Sequence, residues 1–330
     1  MTANTFDLHT YWTRHLRPRL KPLPYLLLLP TVYFVYLFTI MPTFKVLRDS
    51  QTYYHPNRPA REIMSDLSLP GIEEAKRSIR GPHDVGFAYF RAMFDPDTVE
   101  GERFFRAMRN TIIYVVTTVP ISMLLAFTFA VLVNRRLRWI GSARIAFFYP
   151  TMLPMVSAAT IWLFFFTPEY GLWNAALRWF GYHGAENWVI NPDLALVGLI
   201  IVAIWKNAGY FMIFYLAGLQ NLPEDVYEAA ALDGASWWVQ MFRITLPLLR
   251  RTTLFVSVVA IISAFQTIDH ALVMTYELVT GEADLLLYEI YNQRFILQNY
   301  GFANALTVVM IAILLGLTII NFLISERENE

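Results

Sequence analysis

Four stretches of this chain, Tyr25–Phe44, Thr111–Val133, Ile145–Thr167 and Phe302–Ile324, carry no Asp, Glu, Lys or Arg. Each reaches the length of about 20 apolar residues that a helix needs to cross a hydrocarbon layer about 30 Å thick. Leu194–Leu219 is interrupted only by Lys206. Thr253–Ile268 is shorter, but Leu246–Leu249 extends it past Arg250 and Arg251, whose stems can lie along apolar surface while their charges reach the interface. A backbone inside a bilayer must satisfy its own polar groups, which favours helices for such runs. The alternating ten-residue segments of a membrane barrel are not seen. Charged residues make up only 16% of the chain, against about 25% in soluble domains. The sequence therefore reads as an all-α integral membrane protein with six transmembrane helices in one domain, residues 25–324, flanked by a short N-terminal segment, 1–24, and a tail, 325–330. The apolar run behind Lys21 is too long for a cleaved signal and reads as an uncleaved first span.

Basic residues in the short loops predict the orientation. Arg14, Arg17, Arg19 and Lys21 precede the first span; Arg135, Arg136, Arg138 and Arg144 follow the second; Arg243, Arg250 and Arg251 follow the fourth. Loops 168–193 and 269–301 carry one each, Arg178 and Arg294. The positive-inside rule then places both termini in the cytoplasm and the long 48–107 loop outside, with helical stretches expected near Ile72–Ile79 and Val85–Phe94. That outer loop reads as an amphipathic cap on the membrane face or as a landing surface for an external partner.

The residue inventory excludes several chemistries. There is no cysteine, so disulfides and thiolate sites are ruled out. There is no GxxxxGK[ST] phosphate loop, HExxH or GxSxG, and the six histidines are scattered. No catalytic residue, metal site or cofactor is expected. A membrane chain of this kind without a nucleotide site must take its energy from elsewhere.

The inner loop 220–247 is the strongest local signal. Pro223 suits a first helical position, Glu224 and Asp225 suit the first turn, Gly234 suits a left-handed helix end, and Pro247 suits the start of the next helix. Two short helices joined at Asp233-Gly234 are expected, with Ala229, Ala230 and Ala231 forming a small face that admits a partner.

Glu228-Ala229-Ala230, then Asp233-Gly234-Ala235, then Phe242, Ile244, Leu246 and Pro247 resemble the EAA loop of bacterial ABC importer permeases. WKNAGYFMIFYLAGLQNLPEDVYEAA, ITLPLL and YGFANALTVVM resemble the carbohydrate-uptake branch, and YLLLLPTVYFVYLFTIMP and RAMRNTIIYVVTTVPISMLLAFTFAVLVN resemble the larger of its two permease subunits. The likeness runs from about residue 23 to 324. Sugar-importer permeases often carry a Gly-Gly-Pro turn after the fifth helix; MTYELVTGEADLLLYEIY has only Gly281 there. The resemblance implies the type I ABC importer permease fold, a bacterial inner-membrane location and a non-catalytic transport role. It also implies a second, different permease subunit, two cytoplasmic ATPase subunits and an extracytoplasmic binding protein as partners, besides membrane lipid; nucleic acid is not among them. On this reading Glu228, Ala229, Ala230, Asp233, Gly234 and Ala235 couple the chain to the ATPase, with Glu228 pairing to a basic group there.

Polar groups at membrane depth are costly without a purpose. Lys206, Asn207 and Tyr210 on the fourth span, and Gln266 and Asp269 on the fifth, are the candidates for the substrate path, with helix–helix hydrogen bonding as the plainer alternative. Lys206 is open to three uses: an anionic solute, an ion pair with Asp269 or Glu169, or the interface. Pro150 and Pro154 should kink the third span. Most of Trp162, Trp173, Trp179, Trp188, Trp237 and Trp238 read as interface belts. Glycerol phosphate, polyamine or another small solute is the alternative cargo. A stand-alone secondary transporter would need inverted repeats and more intramembrane ionisable groups; an intramembrane enzyme would need a catalytic pair at one depth.

Overall fold

The computed structural model describes residues 22–53, 83–134, 140–181, 187–274 and 283–327. The expected helix at Ile72–Ile79 and the stretch around Gly281 lie outside these residues or at their edge. Two compact units are distinguished, Met1–Arg48 and Asp49–Glu330.

The first unit holds all but the last residue of α1, Leu26–Asp49, a single helix with one π turn at Tyr36–Ile40. From Leu26 to Phe44 it is apolar all round, with Phe34 stacked on Phe38 at 5.9 Å, which is the pattern of a span surrounded by apolar material; Lys45, Arg48 and Asp49 charge its last turns.

In the second unit a two-residue ribbon, β1 (Thr52–Tyr53) and β2 (His83–Asp84), pairs antiparallel. It is followed by α2 (Ala88–Phe94) and α3 (Val99–Val133). The long helix α3 starts twelve residues before the uncharged run, because Thr98 caps it, accepting from the Gly101 N–H at 3.0 Å, and Glu100 and Glu102 favour the helix dipole in its first turn. Then come α4 (Ile140–Met152), α5 (Met155–Phe165), α6 (Leu172–Trp179) and α7 (Pro192–Gln220). The 220–247 loop carries α8 (Glu224–Leu232) and α9 (Trp237–Gln240), and the chain continues through a π turn, Met241–Thr245, into α10 (Arg250–Phe265), α11 (Asp269–Met274), α12 (Leu286–Tyr291) and α13 (Tyr300–Arg327).

Among the described residues, five helical stretches are long and apolar enough to cross a membrane: α1, α3, α7, α10 with α11, and α13. The sixth is α4 and α5 together, and here the structure departs from a merely kinked helix: the two halves meet at 102°. Pro154 has no N–H to give the Pro150 carbonyl, and its extended ψ of 143° carries the chain out of the helix before Met155 restarts it.

The core lies where α3, α7 and α10 meet. Small residues let the backbones approach: Ala126 and Ala130 on α3, Ala203 and Gly209 on α7, Ala260 and Ala264 on α10 are all buried. A Cβ on Gly209 would lie 2.1 Å from the Phe147 carbonyl oxygen, so only glycine allows α7 to seat on α4. At the other end, Thr111 on α3 accepts from the Leu286 N–H at 2.8 Å while donating to the Ala107 carbonyl at 2.7 Å, and Asn110 donates to the Asp284 carbonyl at 3.1 Å. These bonds fix α12 against α3, and α12 buries Glu289, whose carboxylate accepts from Gln293 at 2.7 Å.

Not all the tryptophans form a belt. Trp162, Trp173 and Trp188 pack on one another and on Phe166 inside the molecule, with ring centroids 5.8 Å apart for Trp162–Trp173 and 6.1 Å for Trp173–Trp188, and Trp188 donates to Asn174 at 2.9 Å. Mutual edge-to-face contact offers these rings more than an interface does. Trp179, by contrast, is 93% exposed.

Candidate functional site

The 220–247 loop is a hairpin held by its own bonds. Pro223 precedes α8 rather than occupying its first turn, with ψ 128°, and Glu224 and Asp225 fill that turn. Helix α8 ends in a paired closure: the Ala235 N–H reaches back to the Ala230 carbonyl at 2.9 Å and the Gly234 N–H to the Ala231 carbonyl at 3.1 Å, with Gly234 at φ +74°. This is the Schellman arrangement, in which the residue after the helix must be left-handed, and that conformation is why the sequence has glycine there. Gln240 donates to the Ala235 carbonyl at 3.0 Å, and the hydroxyls of Tyr227 and Thr245 share a bond of 3.0 Å, tying α8 to the strand of helix that returns to the membrane. Pro247 does not open that helix; the backbone is already helical from Trp237, and Pro247 lies within its later segment Leu246–Leu248.

Of the six predicted coupling residues, Ala230 is buried against the hairpin and Ala235 is half-buried, while Glu228, Ala229, Asp233 and Gly234 are exposed. The outer surface is more apolar than the motif alone indicated. Leu232 is 89% exposed, and Trp238 stacks on Phe242 at 6.0 Å with both rings exposed. Sequence reasoning passed over Leu232 and read Trp238 as a belt residue; the signal available was an apolar residue at each end of a polar turn. Behind the hairpin lies a cavity of about 670 Å³ lined by Arg144, Glu224, Tyr227 and Trp237. Arg144 donates from Nε and Nη2 to the Val133 carbonyl at 3.2 and 2.9 Å and closes the C-terminal end of α3.

The membrane-depth residues divide into two groups. Phe214 of α7 meets Phe255 of α10 at 5.4 Å, which sets the antiparallel register and puts Asn207 opposite residue 262. Gln266 then lies four residues, about 6 Å, further along the helix axis. Asn207 is half-buried, while Tyr210, Gln266 and Asp269 are exposed on their helices. Gln266 stands at a break between α10 and α11, where the backbone leaves the helix until Asp269. Lys206 does something else: its Nζ donates to the carbonyls of Pro150 at 3.2 Å, Thr151 at 3.4 Å and Leu153, all at the bend between α4 and α5. No cluster of three or more potential metal ligands occurs among the described residues.

Residues 102–329 match the family described as the binding-protein-dependent transport system inner membrane component. The chain is 31% identical to the sn-glycerol-3-phosphate transport system permease protein UgpA of Rhizobium meliloti (strain 1021) over 252 residues, covering 74% of this chain and 81% of that one. It is 27% identical to the trehalose/maltose transport system permease protein MalF of Thermococcus litoralis, covering 93% and 95%. Among solved structures, a chain of a bacterial alginate ABC transporter in complex with an alginate pentasaccharide-bound periplasmic protein superposes with a TM-score of 0.76 at 20% identity, covering 98% of both.

Proposed function

This chain belongs to the family of inner-membrane components of binding-protein-dependent transport systems, and from that premise we propose that it forms the membrane path for a carbohydrate or a closely related small solute. It is an ABC importer permease subunit, a transport component and not the catalytic one. An extracytoplasmic binding protein delivers the solute, and ATP hydrolysis on partner chains drives it through. The relatives that transport sn-glycerol 3-phosphate and trehalose or maltose support this class of cargo. Both termini and the 220–247 hairpin face the cytoplasm, in keeping with the basic residues of the short loops.

The observation that carries the reading is the self-braced hairpin with its exposed knob. A loop whose only task is to connect two spans has no need of a Schellman closure, two internal side-chain ties and an 89%-exposed leucine at its tip. Such an element transmits force when a partner grips it. Glu228, Ala229, Ala230, Asp233, Gly234 and Ala235 form the grip, and Glu228 pairs with a basic side chain of the ATPase. ATPase closure then rocks the attached helices as bodies and alternates access to the path. Asn207, Tyr210, Gln266 and Asp269 line that path, facing a second permease subunit of different sequence.

Because the chain has no native cysteine, a single cysteine in place of Leu232 can be labelled selectively. In inside-out vesicles it should react with a membrane-impermeant maleimide, and ATPase bound to the complex should shield it. Labelling from the outside of intact cells, or no shielding by ATPase, would refute the arrangement. Uptake of radiolabelled trehalose and sn-glycerol 3-phosphate by cells with and without the chain tests the cargo class; loss of neither on deletion would count against it.

A further inference from the structure

Three spans and one charge meet at the bend of the third span. In a continuous helix the Pro150 carbonyl would accept from residue 154 and the Thr151 carbonyl from residue 155. Residue 154 is proline and has no N–H, and residue 155 begins a new helix at 102° to the old one. The Pro150 carbonyl keeps only a long contact from the Leu153 N–H at 3.4 Å. Carbonyls without donors are expensive inside a membrane protein. A lysine halfway along a span is expensive too. The structure cancels the two costs against each other: Lys206, midway along the 29-residue α7, donates to Pro150, Thr151 and Leu153 together. One turn further on, Gly209 lets the α7 backbone close on Phe147 and Thr151 of α4.

We propose that Lys206 is a positioning residue that pins α7 to the broken third span, so that α4, α5 and α7 move as one body when the hairpin attached to α7 is pulled. The ammonium is spent on main-chain carbonyls and does not select the solute. Asn207 and Tyr210, its neighbours on α7, thereby inherit a fixed position relative to α5. The inference concerns the third and fourth spans whatever solute is carried, so its failure and the failure of the cargo assignment are separable.

The test uses the complete complex in lipid nanodiscs with spin labels at G141C and F164C, which report the angle at the bend, or at F164C and I213C, which report α5 against α7. All three native positions are exposed or lightly packed. With Lys206 present, each pair should give one narrow distance, and the second should stay constant between nucleotide-free and vanadate-trapped states. K206M should broaden both distributions and make the second nucleotide-dependent, while K206R, which keeps donors on a long stem, should restore them. P154A returns an N–H to the Pro150 carbonyl, so K206M should do measurably less in that background. Unchanged distances in K206M, or an equal effect of K206M with and without Pro154, would overturn the proposal. So would a K206M complex with unchanged distances whose relative uptake of sn-glycerol 3-phosphate and trehalose shifts, since that is the behaviour of a solute contact.

Discussion

Replacing Gly234 separates backbone strain from side-chain contact at the hairpin. Its φ is +74°, and a Cβ built there meets nothing within 4 Å. Any side chain therefore fits; only the left-handed backbone is at stake. For an L-residue that conformation costs about 1–2 kcal/mol, less for Asn, which visits it routinely, and more for a β-branched residue. The ordering expected is Gly best, Asn close behind, Ala worse and Val worst. A penalty of 1–2 kcal/mol reduces the population of the closed hairpin relative to its opened form by about 5–30-fold. Two measurements follow it. Hydrogen exchange should show the amides of Gly234 and Ala235, which donate to Ala231 and Ala230, losing protection in G234V and retaining most of it in G234N. Binding of the ATPase to the reconstituted permease should weaken in the same order, while the spans stay folded. G234N behaving as badly as G234V would show that the side chain meets a partner and the backbone argument is wrong. Normal exchange and normal coupling in G234V would remove the hairpin from the mechanism altogether.

Three further outcomes are expected. L232D should leave thermal stability unchanged, because Leu232 is 89% exposed, yet should reduce co-purification of the ATPase; retention of full ATPase binding would show that the knob is idle. G209A should destabilise the protein by about 1–3 kcal/mol, since its Cβ would fall 2.1 Å from the Phe147 carbonyl, read as a lowered unfolding midpoint in detergent; an unchanged midpoint would mean α7 and α4 separate freely. Burial pushes the Glu289 carboxyl up from its ordinary value of 4.5, partly offset by the Gln293 hydrogen bond and the charges of Arg103 and Arg106. The folded state thus holds this proton more tightly than the unfolded chain, so the associated stability is complete below pH 4.5 and is lost as pH rises through the raised value. E289Q should flatten that part of the pH–stability curve, and an E289Q curve parallel to the wild type would assign the slope to another group.

How far the sequence reaches can be judged residue by residue. Length and absence of charge located the spans, because a bilayer leaves few alternatives to a helix of about 20 apolar residues. Gly234 and the acidic first turn of α8 located the hairpin, because helix ends are governed by local backbone chemistry within a few residues. Those are short-range rules, and a linear string carries them. Three features were not local. Pro154 announced a disturbance in the third span, but a bend of 102° depends on what receives the freed carbonyls, and the donor lies on another helix at Lys206. Lys206 itself looked open to a solute, an acid or the interface, since its three carbonyl partners are more than fifty residues away. Trp162, Trp173 and Trp188 looked like interface residues until packing brought them together around Phe166. The sequence by itself determined that this chain crosses a membrane in helices and offers a structured hairpin at one face. Only the tertiary structure decided which polar groups satisfy one another within the chain and which remain turned outward, because that depends on contacts between segments whose distance along the chain says nothing about their distance in space.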